Sequence, residues 1–442
     1  MDGNPCLQKA FGPGQGLPGI AAVRQEIKRR MRTRFTWILG IAVLISIALL
    51  VACSSKFSTS NNGLVVVSTQ EDAVMQTFSL DLGNGHVTQI NNVNGPPTSG
   101  VPTAVVLDPA GTYAYVLVTQ SVHVNNSATG VQSFAVASDG KLASGTSRAL
   151  NPAGSVPVVP VAMVIDSAGK FLFVADAATG SVSGGVSVLA IGSGGTLTEV
   201  PNSPFLLPAK TGGTIPSASA LAVTPTVYPP AFAICSPNVP PTTENLYVTD
   251  SVNYLVLNYS VSSAGALTLV PTSSTPGVPT GTVPSGVTVD PCNRFVYVSN
   301  GQPNNSVSAY TVCNAASFPI CPQADFSLHE VAGSPFPAAN SPGPLLVDRF
   351  ANFLYVVDTG ESAISAYRIG TTTGILSPLT PATIATNSFP TSIAIRSDNN
   401  WMFVTNLNSL NISEYAITPS SGGLTPQPPI QTDNFPWGIA VK

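Results

Sequence analysis

Short runs of alternating apolar and polar residues recur along the chain, separated by Gly, Pro, Asn, Asp and Ser. In the clearest runs a proline is followed after 11 and 13 residues by large apolar side chains and after 16 residues by Asp or Asn. Period-two alternation in short runs bounded by turn residues predicts β-strands. The copies of this unit are Pro160-Phe171-Phe173-Asp176, Pro284-Phe295-Tyr297-Asn300, Pro342-Phe353-Tyr355-Asp358 and Pro390-Trp401-Phe403-Asn406.

Each unit continues with a hexapeptide that is apolar at both ends and usually aromatic at its fourth position. A Gly-x-Leu sequence, such as Gly140-Lys-Leu142 or Gly374-Ile-Leu376, usually follows and starts a last strand. Four antiparallel strands in each unit are typical of a propeller blade. The hexapeptides are VQSFAV, VSVLAI, VLNYSV, VSAYTV, ISAYRI and ISEYAI, beginning at Val131, Val186, Val256, Val307, Ile364 and Ile412.

Seven prolines open predicted inner strands, and the last copy stops after one strand at Lys442. Three unassigned strands near the N-terminus, from Leu64 to Ile90, supply the rest of that blade. Pairing the two chain ends in one sheet closes the ring and removes an exposed edge. The sequence therefore predicts an all-β, seven-bladed β-propeller over residues 63–442 with a composite closing blade. The prolines are Pro102, Pro160, Pro216, Pro284, Pro342, Pro390 and Pro436.

The N-terminal 52 residues differ from the rest of the chain. Basic residues after Met31 precede an apolar run from Trp37 to Ala52, which is shorter than the roughly 20 residues of a membrane span. Cys53 directly follows Leu-Val-Ala, which resembles the cleavage site of bacterial lipoproteins. We expect residues 1–52 to be an N-terminal extension and signal peptide starting at Met31, and residues 53–62 to be a tether lipidated at Cys53. The alternative is an uncleaved anchor helix.

Charge restricts the partners of the remaining chain. Beyond residue 52 it has ten Lys and Arg against nineteen Asp and Glu, a net charge of −9. This acidic balance argues against nucleic acid, whose binding requires basic patches. We expect a monomer without a cofactor, held at the bacterial cell envelope by its lipid and facing the periplasm or the exterior. Its ligand would be a glycan, a peptide or an envelope protein.

The four cysteines beyond Cys53 suit an oxidising compartment. Cys313 and Cys321 bracket a short insertion and are expected to form a disulfide. That leaves Cys235 to pair with Cys292. Metal ligation is the alternative, but no Cys-x-x-Cys spacing is present, and we predict no metal site.

Several strand endings, including Tyr247-Val-Thr-Asp250, Tyr297-Val-Ser-Asn300 and Phe403-Val-Thr-Asn406, resemble the Tyr-Val-Thr-Asn propeller repeat. Whole blades, such as residues 342–379, are similar to the lactonase-type seven-bladed propellers related to bacterial 6-phosphogluconolactonase. The resemblance covers essentially the whole chain from Asn62. It implies the propeller fold and, as one function, hydrolysis of a lactone.

The polar residues that end the second strand of each blade form the first candidate site. Because the second strand runs antiparallel to the inner strand, its end should lie beside the start of the inner strand. These residues should therefore all lie at the face of the ring where the prolines are. They could surround a ligand with oxygen atoms, or they could cap their own turns. The residues are Asp176, Asp250, Asn300, Asp358 and Asn406.

Hydrolysis without a metal needs a general base and an oxyanion partner. The loops of the same face hold His123, Glu361 and Glu71, which we name as catalytic candidates, with Asp72 as a further rim residue. Arg148 and Lys210 could bind an anion there. The alternative for each is an ordinary surface side chain. A second acidic set falls six residues after the prolines and is expected to form tight turns at the opposite face: Asp108, Asp166, Asp290 and Asp348.

Two function classes remain open. A binding or scaffold module is favoured by the scarcity of ionisable groups and the many Asn, Ser and Thr residues. A lactonase-like hydrolase is favoured by the resemblance. An enzyme should gather His, Glu and Arg at one channel mouth with perturbed pKa values, whereas a binding module should show an apolar platform there.

Overall fold

The structure of the protein is a computed structural model. It describes residues 62–442 with internal gaps at 72, 82, 84, 91–96, 120–128, 151–158, 211, 213, 226–243, 271–275, 315–320, 322–323 and 433. The predicted signal segment and the lipidation site Cys53 lie outside the described residues. Among those residues, no helix is long and apolar enough to span a membrane.

The described chain forms seven antiparallel sheets of four or five strands each, and the seven-bladed propeller predicted from the sequence is confirmed. In every sheet the strand order follows the chain, apart from the closing sheet. Short fifth strands in four sheets are outer-strand extensions that pair with the third strand. The single helical segment among the described residues is a 3-10 turn at Ser193–Gly195.

The first three blades lie in chain order after the N-terminal strands. Blade 1 comprises β4 (Val101–Leu107), β5 (Tyr113–Thr119), β6 (Gly130–Val136) and β7 (Leu142–Ala149). Blade 2 comprises β8 (Val159–Ile165), β9 (Phe171–Ala177), β10 (Gly185–Ile191), β11 (Leu197–Glu199) and β12 (Phe205–Leu206). Blade 3 comprises β13 (Ala218–Val223), β14 (Glu244–Asp250), β15 (Leu255–Val261), β16 (Leu267–Leu269) and β17 (Val278–Pro279).

The next three blades repeat the pattern. Blade 4 comprises β18 (Pro284–Val289), β19 (Phe295–Asn300), β20 (Ser306–Val312), β21 (Leu328–Glu330) and β22 (Phe336–Pro337). Blade 5 comprises β23 (Pro342–Val347), β24 (Phe353–Asp358), β25 (Ala363–Ile369) and β26 (Leu376–Ala385). Blade 6 comprises β27 (Pro390–Ile395), β28 (Trp401–Asn406), β29 (Asn411–Ile417), β30 (Leu424–Pro426) and β31 (Ile430–Gln431).

Blade 7 is composite, as predicted. Its inner strand is C-terminal, and three N-terminal strands complete it in the order β3-β2-β1-β32. Leu64 and Lys442 exchange backbone hydrogen bonds of 3.3 and 2.9 Å. The ring is therefore closed by main-chain pairing between the two ends of the propeller. The strands are β1 (Asn62–Thr69), β2 (Val74–Asp81), β3 (Val87–Gln89) and β32 (Pro436–Val441).

The repeated aromatic residues are the core between blades. Tyr297 of blade 4 is fully buried and donates its hydroxyl to the carbonyl oxygen of Gly374 in blade 5, at 3.1 Å. Tyr355 makes the corresponding bond to Gly422 in blade 6, at 2.8 Å. Buried tyrosines need a partner for the hydroxyl. The sequence repeat therefore encodes both the apolar contact and one polar link from each of these blades to the next.

The loops at the two ends of the strands define two faces. We call the face where the inner strands begin the proline face, and the opposite one the turn face. On the turn face the predicted Asp turns are present: Asp290 Oδ1 accepts hydrogen bonds from the backbone N–H groups of Arg294 and Phe295. Its Oδ2 accepts from Arg294 Nε at 2.8 Å. The equivalent carboxylates, which also accept from two backbone N–H groups, are Asp108, Asp166 and Asp348.

The predicted disulfide between Cys313 and Cys321 is present. Cys292 is also disulfide-bonded, and its predicted partner Cys235 lies outside the described residues. The Cys313–Cys321 bridge closes the insertion that precedes the outer strand of blade 4. It takes the place of the simple Gly-x-Leu turn of the other blades.

Candidate functional site

The seven inner strands surround a central channel with a cavity of about 340 Å³. Each inner strand is bulged next to its first residues, as between Pro284 and Gly286. A bulge turns one residue out of the ladder and bends the strand. Small or apolar residues line the channel, so that it can accept apolar or neutral groups. The lining includes Thr103, Val161, Ser219, Ser285, Thr391 and Trp437, one from each of six blades.

Hydroxyl groups at the bulges join neighbouring blades around the channel. Ser219 Oγ donates to the carbonyl oxygen of Pro284 at 2.8 Å, and Ser285 Oγ donates to that of Pro342 at 2.7 Å. Thr391 Oγ1 donates to the carbonyl oxygen of Trp437 at 3.0 Å. These side chains are thus occupied in holding the ring together.

An apolar ring surrounds the mouth of the channel on the proline face. It is formed by the residue that directly precedes the inner-strand proline in blades 2, 3, 4, 6 and 7, whereas blade 5 has Ser341 at this position. The exposed fractions of the ring residues run from 37% to 46%, although all are large apolar residues. The ring comprises Val159, Ile215, Val283, Phe389 and Phe435.

Two ring residues have a backbone that bulky side chains rarely adopt. Val283 has φ of 49° and Phe389 has φ of 59°. The left-handed region is a genuine outlier for a β-branched or bulky residue, and such strain clusters at functional sites. The observation marks this mouth as a place where apolar side chains are exposed at a cost in backbone energy.

The exposed large apolar residues are strongly concentrated on one face. Of the ten in the described chain, Ile375 alone lies in a turn-face loop. The other nine belong to segments at the proline-face ends of the strands, including Val252 and Tyr254 in the turn of blade 3. This concentration on one face makes the proline face the candidate interaction surface.

The Asp and Asn residues of the first candidate site are buried within their blades. These side chains lie at the proline-face ends of the second strands but are at least 98% buried within the blades. Asp250, for example, accepts hydrogen bonds from the backbone N–H groups of Ser217, Val252 and Asn253. They lie inside because the second strand is the core of its blade and the third strand pairs beside it. The same burial applies to Asp176, Asn300, Asp358 and Asn406.

Four of these buried residues share an unusual feature. In Asp176, Asn300, Asp358 and Asn406 one side-chain oxygen, Oδ1, has no hydrogen-bond partner. Ser187 donates to the other oxygen of Asp176, and Ser365 donates to that of Asp358, both at 2.7 Å. Burial, only partly offset by these hydrogen bonds, raises the pKa of both carboxyl groups to about 7.

The other predicted site residues are dispersed. Glu71 lies in the second turn of blade 7 and Glu361 in that of blade 5, both exposed on the proline face. Lys210 precedes the inner strand of blade 3. Arg148 is not at the channel mouth: it lies on the outermost strand of blade 1, where it pairs with Glu199 at 3.3 Å. His123 and Asp72 lie outside the described residues.

The described residues contain no group of three or more His, Cys, Asp or Glu side chains that could hold a metal ion. The features that sequence reasoning missed are the apolar ring and Glu414, a buried acid in blade 6. Both left a signal in the repeat. The ring residue always precedes the proline, and Glu414 occupies a hexapeptide position that is neutral in the other blades.

The comparisons with known proteins agree with this architecture. The family model described as lactonase, 7-bladed beta-propeller matches residues 324–434. No curated protein matches the sequence. The resemblance to lactonase-type propellers seen in the repeat is thus supported over blades 5 and 6 and part of blade 4.

Solved structures with the same fold cover most of the chain. The periplasmic gluconolactonase of Pseudomonas aeruginosa has a TM-score of 0.66 at 14% identity, covering 86% of this chain and 99% of its own. A Bacteroides fragilis protein proposed to be a 6-phosphogluconolactonase has a TM-score of 0.64 at 16% identity, with 87% and 99% covered. A protein of Lactobacillus plantarum has a TM-score of 0.62 at 15% identity, covering 86% of this chain and 99% of its own. At these identities the likeness concerns the fold.

Proposed function

We propose that this protein is a binding module of the bacterial cell envelope that holds a neutral saccharide at the channel mouth of its proline face. The observation that carries this proposal is the apolar ring, exposed in five blades around one channel. Binding sites are mostly apolar concave surfaces with a few polar groups that fix orientation.

The composition of the mouth favours a neutral ligand. Phe389 and Phe435 belong to adjacent blades, and Trp437 lines the channel directly beside them. Aromatic rings offer flat apolar faces on which the C–H face of a sugar ring can lie. The ionisable candidates Glu71, Glu361 and Lys210 lie in loops of different blades, so that no charged cluster among the described residues would select an ionic ligand.

The location of the protein in the cell is also part of the proposal. The apolar run before Cys53 and the Leu-Val-Ala-Cys sequence support export, cleavage and lipid attachment at Cys53. Two or more acyl chains would anchor the propeller durably to a membrane. A saccharide of the envelope would then lie within reach of the proline face.

Binding can be tested with the full chain in detergent against a panel of neutral oligosaccharides and matched apolar peptides. We expect saccharide binding by the unmodified protein and a loss of at least tenfold in affinity in the Phe389→Ser/Phe435→Ser variant. Ile375→Ser, which removes an exposed apolar side chain from the turn face, is the control and should bind normally. Selective binding of peptides, or equal affinity in both variants, would contradict the proposal.

A lactonase-like hydrolase is the second candidate, favoured by the family match over residues 324–434. Glu361 lies within this stretch on the proline face and would be the base. Gluconolactone and its 6-phosphate should then be hydrolysed by the unmodified protein and not by Glu361→Gln. Turnover that disappears in this variant would establish the hydrolase. Absence of turnover, together with saccharide binding, would leave the binding module.

A further inference from the structure

A second cavity lies between the outer parts of blades 6 and 7. Its volume is about 600 Å³, within the range of small-molecule sites. Phe78, Val87 and Ile430 form apolar walls, and Glu414, His86 and Gln427 are among the polar residues that line it. We call this cavity the blade 6–7 crevice.

Glu414 is the unusual residue of the crevice. It lies on β29 opposite Phe403 and is only 5% exposed, yet its Oε1 atom accepts no hydrogen bond. A buried carboxyl group without full hydrogen bonding is costly. The protein therefore keeps an acceptor oxygen at this wall for which its own described residues provide no donor.

Comparison with the other blades shows that this carboxyl group replaces a core residue. The third hexapeptide position holds Val188, Ala309 and Ala366 in blades 2, 4 and 5, where each packs in an apolar cluster. In blade 3 it holds Asn258, whose amide is satisfied by Asn245 and the carbonyl oxygen of Phe326. Among the described blades, blade 6 alone has an acid, Glu414, at the third hexapeptide position. Glu414 belongs to no apolar cluster, and its Oε1 atom has no hydrogen-bond partner among the described residues.

A second departure lies directly beside it. In blades 2, 3 and 4 a valine donates its backbone N–H to the carbonyl oxygen of the third hexapeptide residue; these are Val200, Val270 and Val331. In blade 6 the residue that donates to the Glu414 carbonyl oxygen is Gln427. Gln427 is thus polar where these three blades have valine, directly beside the only acid at the third hexapeptide position in the described blades. Pro428 and Pro429 follow and separate β30 from β31 in the outer wall.

We propose that the blade 6–7 crevice binds an organic amine, with the ammonium group donating hydrogen bonds to the Glu414 carboxylate and the apolar part lying against Phe78, Val87 and Ile430. A cation compensates a buried carboxylate and supplies the missing donors, as charge-assisted hydrogen bonds are the strong ones. The apolar walls require that the ammonium group be carried on an aliphatic or aromatic body.

The affinity should depend on pH. Burial raises the pKa of Glu414 to about 7, and His86 is the other titratable side chain that lines the crevice in the described chain. The carboxylate fraction of such a group increases about tenfold between pH 6 and pH 8. Amine binding should therefore tighten by about that factor over this range.

The test is calorimetric titration of the full chain in detergent with benzylamine and with benzyl alcohol, its neutral counterpart. We expect saturable binding of benzylamine, about tenfold tighter at pH 8 than at pH 6, and binding of benzyl alcohol that is at least tenfold weaker. Equal affinity for the two probes, or no saturable binding of benzylamine, would overturn the proposal.

Variants locate the binding group. Glu414→Gln and Glu414→Ala should each lose at least tenfold in affinity for benzylamine; the alanine occurs naturally at this position in blades 4 and 5, so that thermal melting should show a folded protein. Gln427→Val should weaken binding because it replaces a polar side chain of the crevice lining by the apolar residue found in blades 2, 3 and 4. Glu330→Gln removes an exposed acid from the outer wall of blade 4 and should bind normally.

Two further variants test whether His86 causes the pH dependence and whether benzylamine binds at the channel mouth instead. His86→Gln should keep the pH dependence, and loss of this dependence in the variant would overturn the role of Glu414. Phe389→Ser/Phe435→Ser should bind benzylamine normally, because the channel mouth is a different site. Undiminished binding by Glu414→Gln would also overturn the proposal.

Discussion

The two faces of the propeller use the same short polar side chains in opposite ways. On the turn face Asp290 is fully buried and receives two backbone N–H groups and the Arg294 guanidinium. Near the proline face Asp358 is equally buried but receives one serine hydroxyl and leaves one oxygen without a partner. A tight turn aims several N–H groups at one carboxylate, whereas Asp176 and Asp358 accept from a serine hydroxyl and keep one oxygen without a partner. Asp250, which accepts from three backbone N–H groups, is the exception near the proline face. The difference teaches that the turn-face carboxylates are tied to the backbone, whereas Asp176 and Asp358 keep an oxygen without a partner near the proline face, where nine of the ten exposed large apolar residues of the described chain also lie.

The largest expected effect comes from breaking the turn face. Asp290→Ala should lower the free energy of unfolding by about 3 kcal/mol, because two backbone N–H groups and a guanidinium lose a buried charged acceptor. Urea unfolding of the full chain measures this. Asp139→Ala, an exposed turn-face acid paired with Lys141, is the control and should change little. A loss below about 1 kcal/mol for Asp290→Ala would contradict the ranking of the two faces.

An intermediate effect should come from the buried acids near the proline face. Burial raises the pKa values of Asp176 and Asp358 from the ordinary 3.8 to about 7 in the folded protein. Their contribution to stability is therefore complete below about pH 4 and is lost as pH rises through 7. Asp176→Asn/Asp358→Asn should remove this pH dependence and stabilise the protein at pH 8 by about 2 kcal/mol for each residue.

The other blades supply the reciprocal control for that prediction. Asn300 and Asn406 occupy the same position and donate through Nδ2 to Ser308 and Ser413, so that an amide is already known to fit there. Asn406→Asp should destabilise the protein at pH 8 and much less at pH 5, measured by urea unfolding at both values. A pH-independent change in either direction would show that the carboxyl groups do not titrate with the fold.

The smallest expected effect concerns the channel mouth. Val283→Asn should stabilise the protein by about 0.5–1 kcal/mol, because asparagine tolerates the left-handed backbone better than a β-branched residue. The same change should weaken ligand binding at the apolar ring. Val252→Asn, at an exposed valine of the same face that is not in the left-handed region, is the control for stability. Destabilisation by Val283→Asn would mean that the ring holds no backbone strain.

The sequence by itself determined the fold because the repeat carries all the local information that a blade needs. Pro284, Phe295 and Tyr297 mark strand starts and core positions, and the incomplete copy at Pro436 identifies the closing blade. The turn-face acids were also predictable, because Asp108 and its equivalents accept hydrogen bonds from backbone N–H groups four and five residues further along the chain. Interactions between residues that are close in the sequence can be recognised from the sequence itself.

Only the tertiary structure decided which side chains reach a ligand. Asn300 and Asp358 are polar and lie at the expected face, but packing within the blade buries them. In the sequence Phe389 and Phe435 are ordinary apolar residues beside prolines, and only the folded ring shows that they are exposed on one face. Glu414 reads as a strand residue, and only the neighbouring blade makes it a buried acid in a cavity. Burial is set by contacts between distant segments, and a local pattern cannot report them.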